Sequence, residues 1–324
     1  MHVWHGLAEI DPGLGPSVVT IGNFDGVHLG HRHVIAHARE IAAERGGLPV
    51  VAVTFDPHPM SVIAPDKAPQ ALTSLEQRIA ELVETGVDDI LVCSFTPELA
   101  QVSAEDFVSD IVLDALHADA VVVGENFRFG HRARGDVDLL TAMCTERGVS
   151  VVGLPLAGPK GPNAAGEEHA WSSSYIRQRL VAGDVASAAE ALGRQFTIRG
   201  YVVKGEQRGR ELGYPTANVP VSTTRTAVPA DAVYAGWLRR CDVAEAPYWP
   251  AAISVGTNPT FDGTVRHVES YVLDRTDLEL YGALVEVTFV ERLRGMVRFD
   301  SVEELVDQMR GDVDRARDLL RPAP

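Results

Sequence analysis

Ile21-Gly22-Asn23-Phe24-Asp25-Gly26-Val27-His28-Leu29-Gly30-His31-Arg32 stands between two segments of different periodicity. Before it, Ser17-Val18-Val19-Thr20-Ile21 is a β-branched run with the length of a buried strand. After it, Val34, Ile35, Ala38, Ile41 and Ala42 recur at helical spacing. The stretch therefore reads as the turn from a strand into a helix. Gly22, Gly26 and Gly30 let its backbone bend sharply and approach a ligand. The helix that follows aims its first N–H groups and its positive dipole end at the same place, so an anion fits there. His28 and His31 are three residues apart; if the helix has begun they share a face, and both reach an oxygen of a bound phosphate.

The chain has 324 residues, is 45% hydrophobic and carries three cysteines. With near-zero mean hydropathy, that is core enough for two domains of an ordinary soluble protein. No apolar run approaches the roughly 18 residues of a membrane span, and Met1-His2-Val3-Trp4-His5 lacks the start of a signal peptide, so a cytoplasmic location is expected. Cys93, Cys144 and Cys241 are far apart with no Cys-x-x-Cys pair, which indicates neither a disulfide framework nor a zinc site. The net charge of −16 argues against a sequence-independent grip on nucleic acid. It is uneven: residues 1–187 hold 12 basic and 25 acidic side chains, residues 188–324 hold 17 and 20. Anionic ligands must then be held by local N–H groups, a few arginines and a divalent metal, so magnesium dependence is expected.

Strand-like runs and helical patterns alternate after the first turn: strands over 49–55, 89–93, 120–123 and 150–154, helices over 74–85, 104–116 and 137–147. Thr73-x-x-Glu76 and Ser103-x-x-Asp106 supply start signals for the first two helices. Nearly all-apolar strands separated by helices describe a parallel sheet with ligands at the carboxyl ends of its strands. Asp56-Pro57-His58-Pro59 falls at one such end and also fits a rigid turn. Asn126 with Phe127 and Phe129 falls at another, where an amide and aromatic faces suit a flat heterocycle; the same residues fit a packed loop. Arg128, Arg132 and Arg134 form a basic spot that fits either a phosphate contact or a solvated face. Trp171-Ser172-Ser173-Ser174-Tyr175-Ile176-Arg177 places hydroxyls at a helix start, as an N-cap or as an anion site.

From Phe196 onward, short β-type runs follow one another without helices (196–203, 216–219, 233–238, 251–255, 267–273 and 284–290), and a helix opened by Ser301-x-x-Glu304 ends the chain. This is a second domain, antiparallel or barrel-like, with the boundary placed near residue 187. Gly205, Gly209 and Gly213 suit a flexible flap over phosphates. Thr216 and Asn218, two apart on a strand, put two oxygen ligands on one face for a hard cation.

His28-Leu29-Gly30-His31 resembles the His-x-Gly-His signature of the nucleotidyltransferase superfamily. Pro215-Thr216-Ala217-Asn218, Gly256-Thr257-Asn258-Pro259-Thr260-Phe261 and Glu269 resemble the riboflavin kinase family. The whole, from about Val18 to Leu320, resembles the prokaryotic bifunctional riboflavin kinase/FAD synthetase family. That resemblance implies a Rossmann-like nucleotidyltransferase domain (1–187) that adenylylates FMN to FAD with release of pyrophosphate. It also implies an antiparallel β-barrel kinase domain (188–324) that phosphorylates riboflavin with ATP.

For the first site it implies ATP at Gly22, Asn23, Phe24, Asp25, Gly30, Ser173 and Ser174, charge stabilisation by His28, His31 and Arg177, and flavin at Asn126 and Phe129. For the second it implies nucleotide and flavin at Gly205, Gly209, Arg210, Gly213, Tyr214 and Pro215, Mg²⁺ at Thr216 and Asn218, and Glu269 as the base. Serine at 174 departs from the family's Ser-Ser-Thr but keeps a hydroxyl. A transferase for another phosphate-bearing acceptor leaves Pro-Thr-Ala-Asn unexplained, a non-catalytic flavin-binding protein has little need of this residue set, and an RNA-binding protein needs a basic groove. Oligomeric state is left open.

Overall fold

The computed structural model describes residues 1–159, 170–205, 209, 212–224, 226–260 and 263–321. The chain folds as two compact units, Met1–Ser173 and Ser174–Pro324. The division comes ahead of the expected boundary near 187, and the intervening segment is tied into the second unit at two places. Leu180 O accepts from Ala230 N at 2.9 Å, and residues Val185–Leu192 pack against the strands Phe196–Tyr201 and Leu284–Gly295.

The first unit is a six-stranded parallel sheet: β1 (His2–His5), β2 (Ser17–Ile21), β3 (Val50–Asp56), β4 (Asp89–Ser94), β5 (Ala118–Gly124) and β6 (Ser150–Leu154), in the order β1-β4-β3-β2-β5-β6. Edge strand β1 is absent from the sequence expectation; Trp4 is its only buried side chain, too little for a pattern. Alternate residues of the central strands serve opposite faces. Val19, Val51 and Val121 pack with the helical segment 104–115, while Val18, Val50 and Ala120 pack under α1 (Leu29–Glu44).

The remaining helices of this unit are α2 (Pro59–Ile63), α3 (Leu75–Glu84), α4 (Ala104–Asp106), which winds on as a π-helix over Phe107–Ala115, and α5 (Val137–Glu146). The start of α3 differs from the expected Thr73 signal: Ser74 and Gln77 form the capping box. Thr73 turns instead toward the signature loop, where its Oγ1 accepts from Gly26 N at 3.3 Å. Strand order reverses between β2 and β5, so the chain leaving each of them flanks the crevice in which ligands of such sheets bind.

The second unit opens with α6 (Ser173–Ala182) and α7 (Val185–Leu192). It then forms an antiparallel sheet of β7 (Phe196–Tyr201), β8 (Thr216–Pro220), β9 (Ala232–Arg240), β10 (Trp249–Thr260), β11 (Gly263–Val272) and β12 (Leu284–Gly295), ordered β7-β12-β9-β10-β11-β8. The two edges meet where Val203 N donates to Asn218 O at 2.8 Å, so the sheet curls into a half-barrel closed at one bridge. A short helix, α8 (Val221–Thr224), follows β8. The last helix, α9 (Val302–Leu319), is capped by Ser301 and seats Val313 and Ala316 on Val233, Ala235 and Trp237 of β9. Arg294 clasps Asp312 of α9 through Nε and Nη2 at 2.8–3.0 Å, with both groups largely buried.

Candidate functional site

The backbone leaving β2 turns left-handed at Phe24, Gly26 and Val27, with φ of 48°, 83° and 37°. For non-glycine residues this costs on the order of 1–3 kcal/mol each, and it is sustained by packing: Phe24 and Val27 are buried. Asp25 braces the turn from inside, its Oδ1 accepting from Leu72 N (2.8 Å) and Thr73 N (3.2 Å). Thr54 Oγ1 donates to Asn23 O at 3.0 Å and Ser173 Oγ donates to Asp25 O at 2.8 Å. Gly30 is needed for close approach: a Cβ there would lie 2.9 Å from Trp171 O and 3.1 Å from the His28 ring. Trp171 and Ser173 therefore lie against the turn. Ser174 and Arg177 sit on α6 in the second unit.

His28 is the N-cap of α1, its Nδ1 accepting from His31 N at 3.3 Å. With Nδ1 as acceptor, the neutral ring carries its proton on Nε2, a donor. The two imidazoles stack with centroids 3.6 Å apart. Burial, then the charges of His28 and Arg78, hold His31 well below its ordinary pKa. His31 is thereby favoured as a neutral imidazole over an imidazolium.

Arg78 escapes the sequence reading. It is a buried residue of α3 whose Nη1 donates to Thr54 Oγ1 (3.2 Å) and Phe55 O (2.7 Å). Its sequence signal is an arginine three residues after Leu75 and four before Leu82, inside the apolar stripe of an amphipathic helix. Nδ1 of His31, Nε of Arg78 and Nε1 of Trp171 are buried and find no hydrogen-bond partner among the described residues.

A cavity of about 410 Å³ opens at the switch point, lined among others by Gly22, Asn23, His58, Asn126, Phe127 and Phe129. The rings of Phe127 and Phe129 stack at 5.3 Å, and Phe129 meets Phe107 at 5.7 Å. Phe129 is largely core, yet it walls the cavity, while Asn126 is exposed at the rim. His58 caps α2 by accepting from Met60 N at 3.1 Å, so Asp56–Pro59 is a turn and a wall together. Arg128 is paired with Asp136 at 2.9 Å, and Arg132 and Arg134 are exposed.

In the second unit Asn218 is buried, and its Nδ2 donates to both Thr216 O and Thr216 Oγ1 at 3.1 Å. Antiparallel register sets Asn218 opposite Glu269 and Thr216 opposite Tyr271. Two cavities flank this pair. One, about 360 Å³, is lined by Gly209, Tyr214, Glu269, Tyr271, Phe299 and Met309 among others. The other, about 350 Å³, is lined by Gly205, Gly213, Pro215, Ser270 and Leu280 among others. Thr216 and Asn218 line both. A Cβ at Gly205 would fall 2.8 Å from the Asn218 side chain, so the loop lies directly on the amide. Arg266 is engaged by Asp231 at 2.7 Å. Arg210 lies outside the described residues.

Residues 12–162 match the family model for FAD synthetase, and residues 192–320 match that for riboflavin kinase. The chain is 36% identical over 309 residues to the bifunctional riboflavin kinase/FMN adenylyltransferase of Escherichia coli K12, covering 94% of each chain. The protein of that name from Pseudomonas fluorescens is 36% identical over 324 residues, covering 100% of this chain and 99% of its own. The present chain belongs to the bifunctional riboflavin kinase/FMN adenylyltransferase family.

Membership makes it a two-activity transferase of flavin synthesis, with the FAD synthetase domain N-terminal and the riboflavin kinase domain C-terminal. ATP and flavins are the substrates the family implies. The Bacillus subtilis bifunctional riboflavin kinase/FMN adenylyltransferase is 32% identical over 320 residues, covering 98% and 96%. A crystal structure described as a macrolide-efflux protein from Streptococcus pneumoniae superposes with a TM-score of 0.83 at 31% identity, covering 97% and 98%. Efflux is said of the pneumococcal protein; among the described residues here, no helix is long and apolar enough to cross a membrane.

Proposed function

We propose that the kinase reaction runs across the Thr216–Asn218 wall. Glu269 lines only the larger of the two cavities, so riboflavin binds there and ATP binds in the other. Tyr214, Tyr271 and Phe299 suit an isoalloxazine ring, while Gly205, Gly213 and Pro215 bear on the nucleotide. Thr216 and Asn218 fit Mg²⁺: they offer a hydroxyl and an amide oxygen, hard ligands on one strand face. Among the described residues no group of three or more His, Cys, Asp and Glu is arranged to hold a metal, and Thr216 and Asn218 are the residues that would hold Mg²⁺ here. Bound Mg²⁺ supplies neutralisation of the charge on the transferring phosphates.

Glu269 accepts the proton of the ribityl hydroxyl as its oxygen attacks the γ-phosphorus and the bond to ADP breaks. The observation that carries this reading is the register of Glu269 opposite Asn218. Glu269→Gln abolishes FMN formation while supplied FMN is still converted to FAD; near-wild-type kinase activity in that variant would refute the assignment.

The adenylyl step is assigned to the 22–31 turn and the adjoining cavity. The FMN phosphate attacks the α-phosphorus of ATP, and the bond to pyrophosphate breaks, so no protein nucleophile is required. His28 and His31 donate to the developing charge. Gly22, Asn23, Phe24, Asp25 and Gly30 shape the cradle and Ser173 pins it; a part for Ser174 and Arg177 in the adenylyl step rests on the family resemblance alone. Asn126 and Phe129 receive the flavin. His28→Ala lowers FAD formation about a hundredfold, the typical effect of losing one such donor, with FMN formation intact; unchanged FAD synthesis would remove the assignment. The functional boundary is placed near residue 187, a position supported by the interval between the two family matches. A cytoplasmic location completes the reading, as does the lack of a nucleic-acid partner, the latter supported by the charge of −16.

A further inference from the structure

Arg78 is a buried guanidinium on α3, a helix that supplies none of the residues named in the adenylyl step. Burying such a charge is unfavourable unless its hydrogen bonds are well used. Those of Arg78 go to one place, the carboxyl end of β3. Nη1 reaches Phe55 O at 2.7 Å and Thr54 Oγ1 at 3.2 Å, and Nη2 lies 3.9 Å from Asp56 Oδ1. Thr54, fully buried, passes the connection on, its Oγ1 donating to Asn23 O at 3.0 Å inside the signature turn. The hydroxyl accepts from Arg78 and donates to Asn23, so its direction is fixed by the arginine. Arg78 also lies near enough to His31 for its charge to disfavour the imidazolium.

We infer that Arg78 is a positioning residue for adenylyl transfer, acting through Thr54 to hold the Asn23 carbonyl and hence the turn that presents His28 and His31. The inference rests on the assignment of adenylyl transfer to that turn. It commits to a chain, Arg78 to Thr54 to Asn23, in which loss of either link misplaces the same backbone. A displacement of about 1 Å at such a position is enough to lower a rate by the order of a hundredfold.

The experiment uses the full-length protein with Arg78→Lys, Thr54→Val, the double variant and Thr54→Ser. Formation of FAD from FMN is followed at a temperature below the first unfolding transition. Riboflavin kinase activity in the same samples gives the concentration of chain, and the thermal melt of the N-terminal unit gives the fraction of it that is folded there. Arg78→Lys, which keeps the charge but not the fork, is expected to lower kcat about 10–100-fold with KM for ATP and FMN within about threefold. Thr54→Val lowers kcat in the same way, Thr54→Ser restores it, and the double variant is no worse than Arg78→Lys alone, because both cut one chain.

Losses that multiply in the double variant, or that vanish when rates are taken per folded molecule, would overturn the inference. If Arg78→Lys fails to fold, Thr54→Val and Thr54→Ser decide: wild-type kcat in the valine variant overturns it, and loss with rescue by serine upholds it. Failure of the His28→Ala test removes the site assignment beneath the inference. Failure of the Thr54 pair with His28→Ala still inactive removes the inference alone.

Discussion

Glu269 on β11 stands opposite Asn218 on β8 in the antiparallel register, with Ser254 of β10 on its other side. A carboxylate and an amide held at paired positions of two strands cannot drift apart without unzipping the ladder, so their spacing is set by backbone. Asn218→Ala keeps the ladder and deletes the amide. FMN formation is expected to fall about a hundredfold, with a raised Mg²⁺ requirement, while FAD formation from supplied FMN is unchanged. Chromatographic separation of flavins at graded Mg²⁺ checks all three.

Gly30 is the second test. Its missing Cβ leaves room for the carbonyl of Trp171, which a methyl group would approach to 2.9 Å. That neighbour is backbone and cannot rotate away. Gly30→Ala therefore displaces residues 171–173 from the turn, and FAD formation is expected to drop at least about tenfold with kinase kinetics intact, as steady-state rates with each substrate will show.

His31 gives a pH prediction. Its pKa in the folded chain lies well below the ordinary value, chiefly through burial. The unfolded chain then binds the proton more readily than the folded one, so stability is lost as the pH falls below about 6.5 toward the depressed folded value, and levels off beneath it. Thermal melts of the N-terminal unit between pH 7.5 and 5 should show this slope, and His31→Asn should flatten it. FAD formation should hold its rate as the pH falls through 6.5, since the imidazole stays neutral there.

Asp312 tests the second unit. Both its oxygens receive Arg294, and Oδ1 also accepts from Gln308 Nε2 at 3.0 Å. Removing the carboxylate strands a largely buried guanidinium, which typically costs about 3–5 kcal/mol. Asp312→Ala should lower the melting transition of the kinase unit and raise KM for riboflavin, because Arg294 and Asp312 both line the cavity that Glu269 enters. Calorimetry and kinase assays read the two effects separately.

Much of this is legible in the amino-acid order alone. The β-branched run at 17–21 and the helical spacing from Val34 declare their elements by burial pattern, and β2 and α1 stand where that pattern puts them. His28, His31, Thr216 and Asn218 are legible because their spacing fixes a shared location on a helix start or a strand face. Arg78 is not, since a single cation in an apolar stripe looks like a helix surface residue until its partners on β3 are known. The start of α3 is displaced by one residue because two hydroxyl residues, Thr73 and Ser74, both qualify as caps, and Thr73 is taken up by Gly26. The periodicity of α6 and α7 gives their helical form but not which sheet they cover, so the amino-acid order alone does not show the contact division at 173.

Ser173 Oγ reaches back 148 residues to the carbonyl of Asp25. Because the chain is made in order, the loop at 22–31 is translated well before the residue that clasps it. A nascent chain halted before Trp171 would carry the full signature with neither the Trp171 carbonyl nor the Ser173 hydroxyl seated on it.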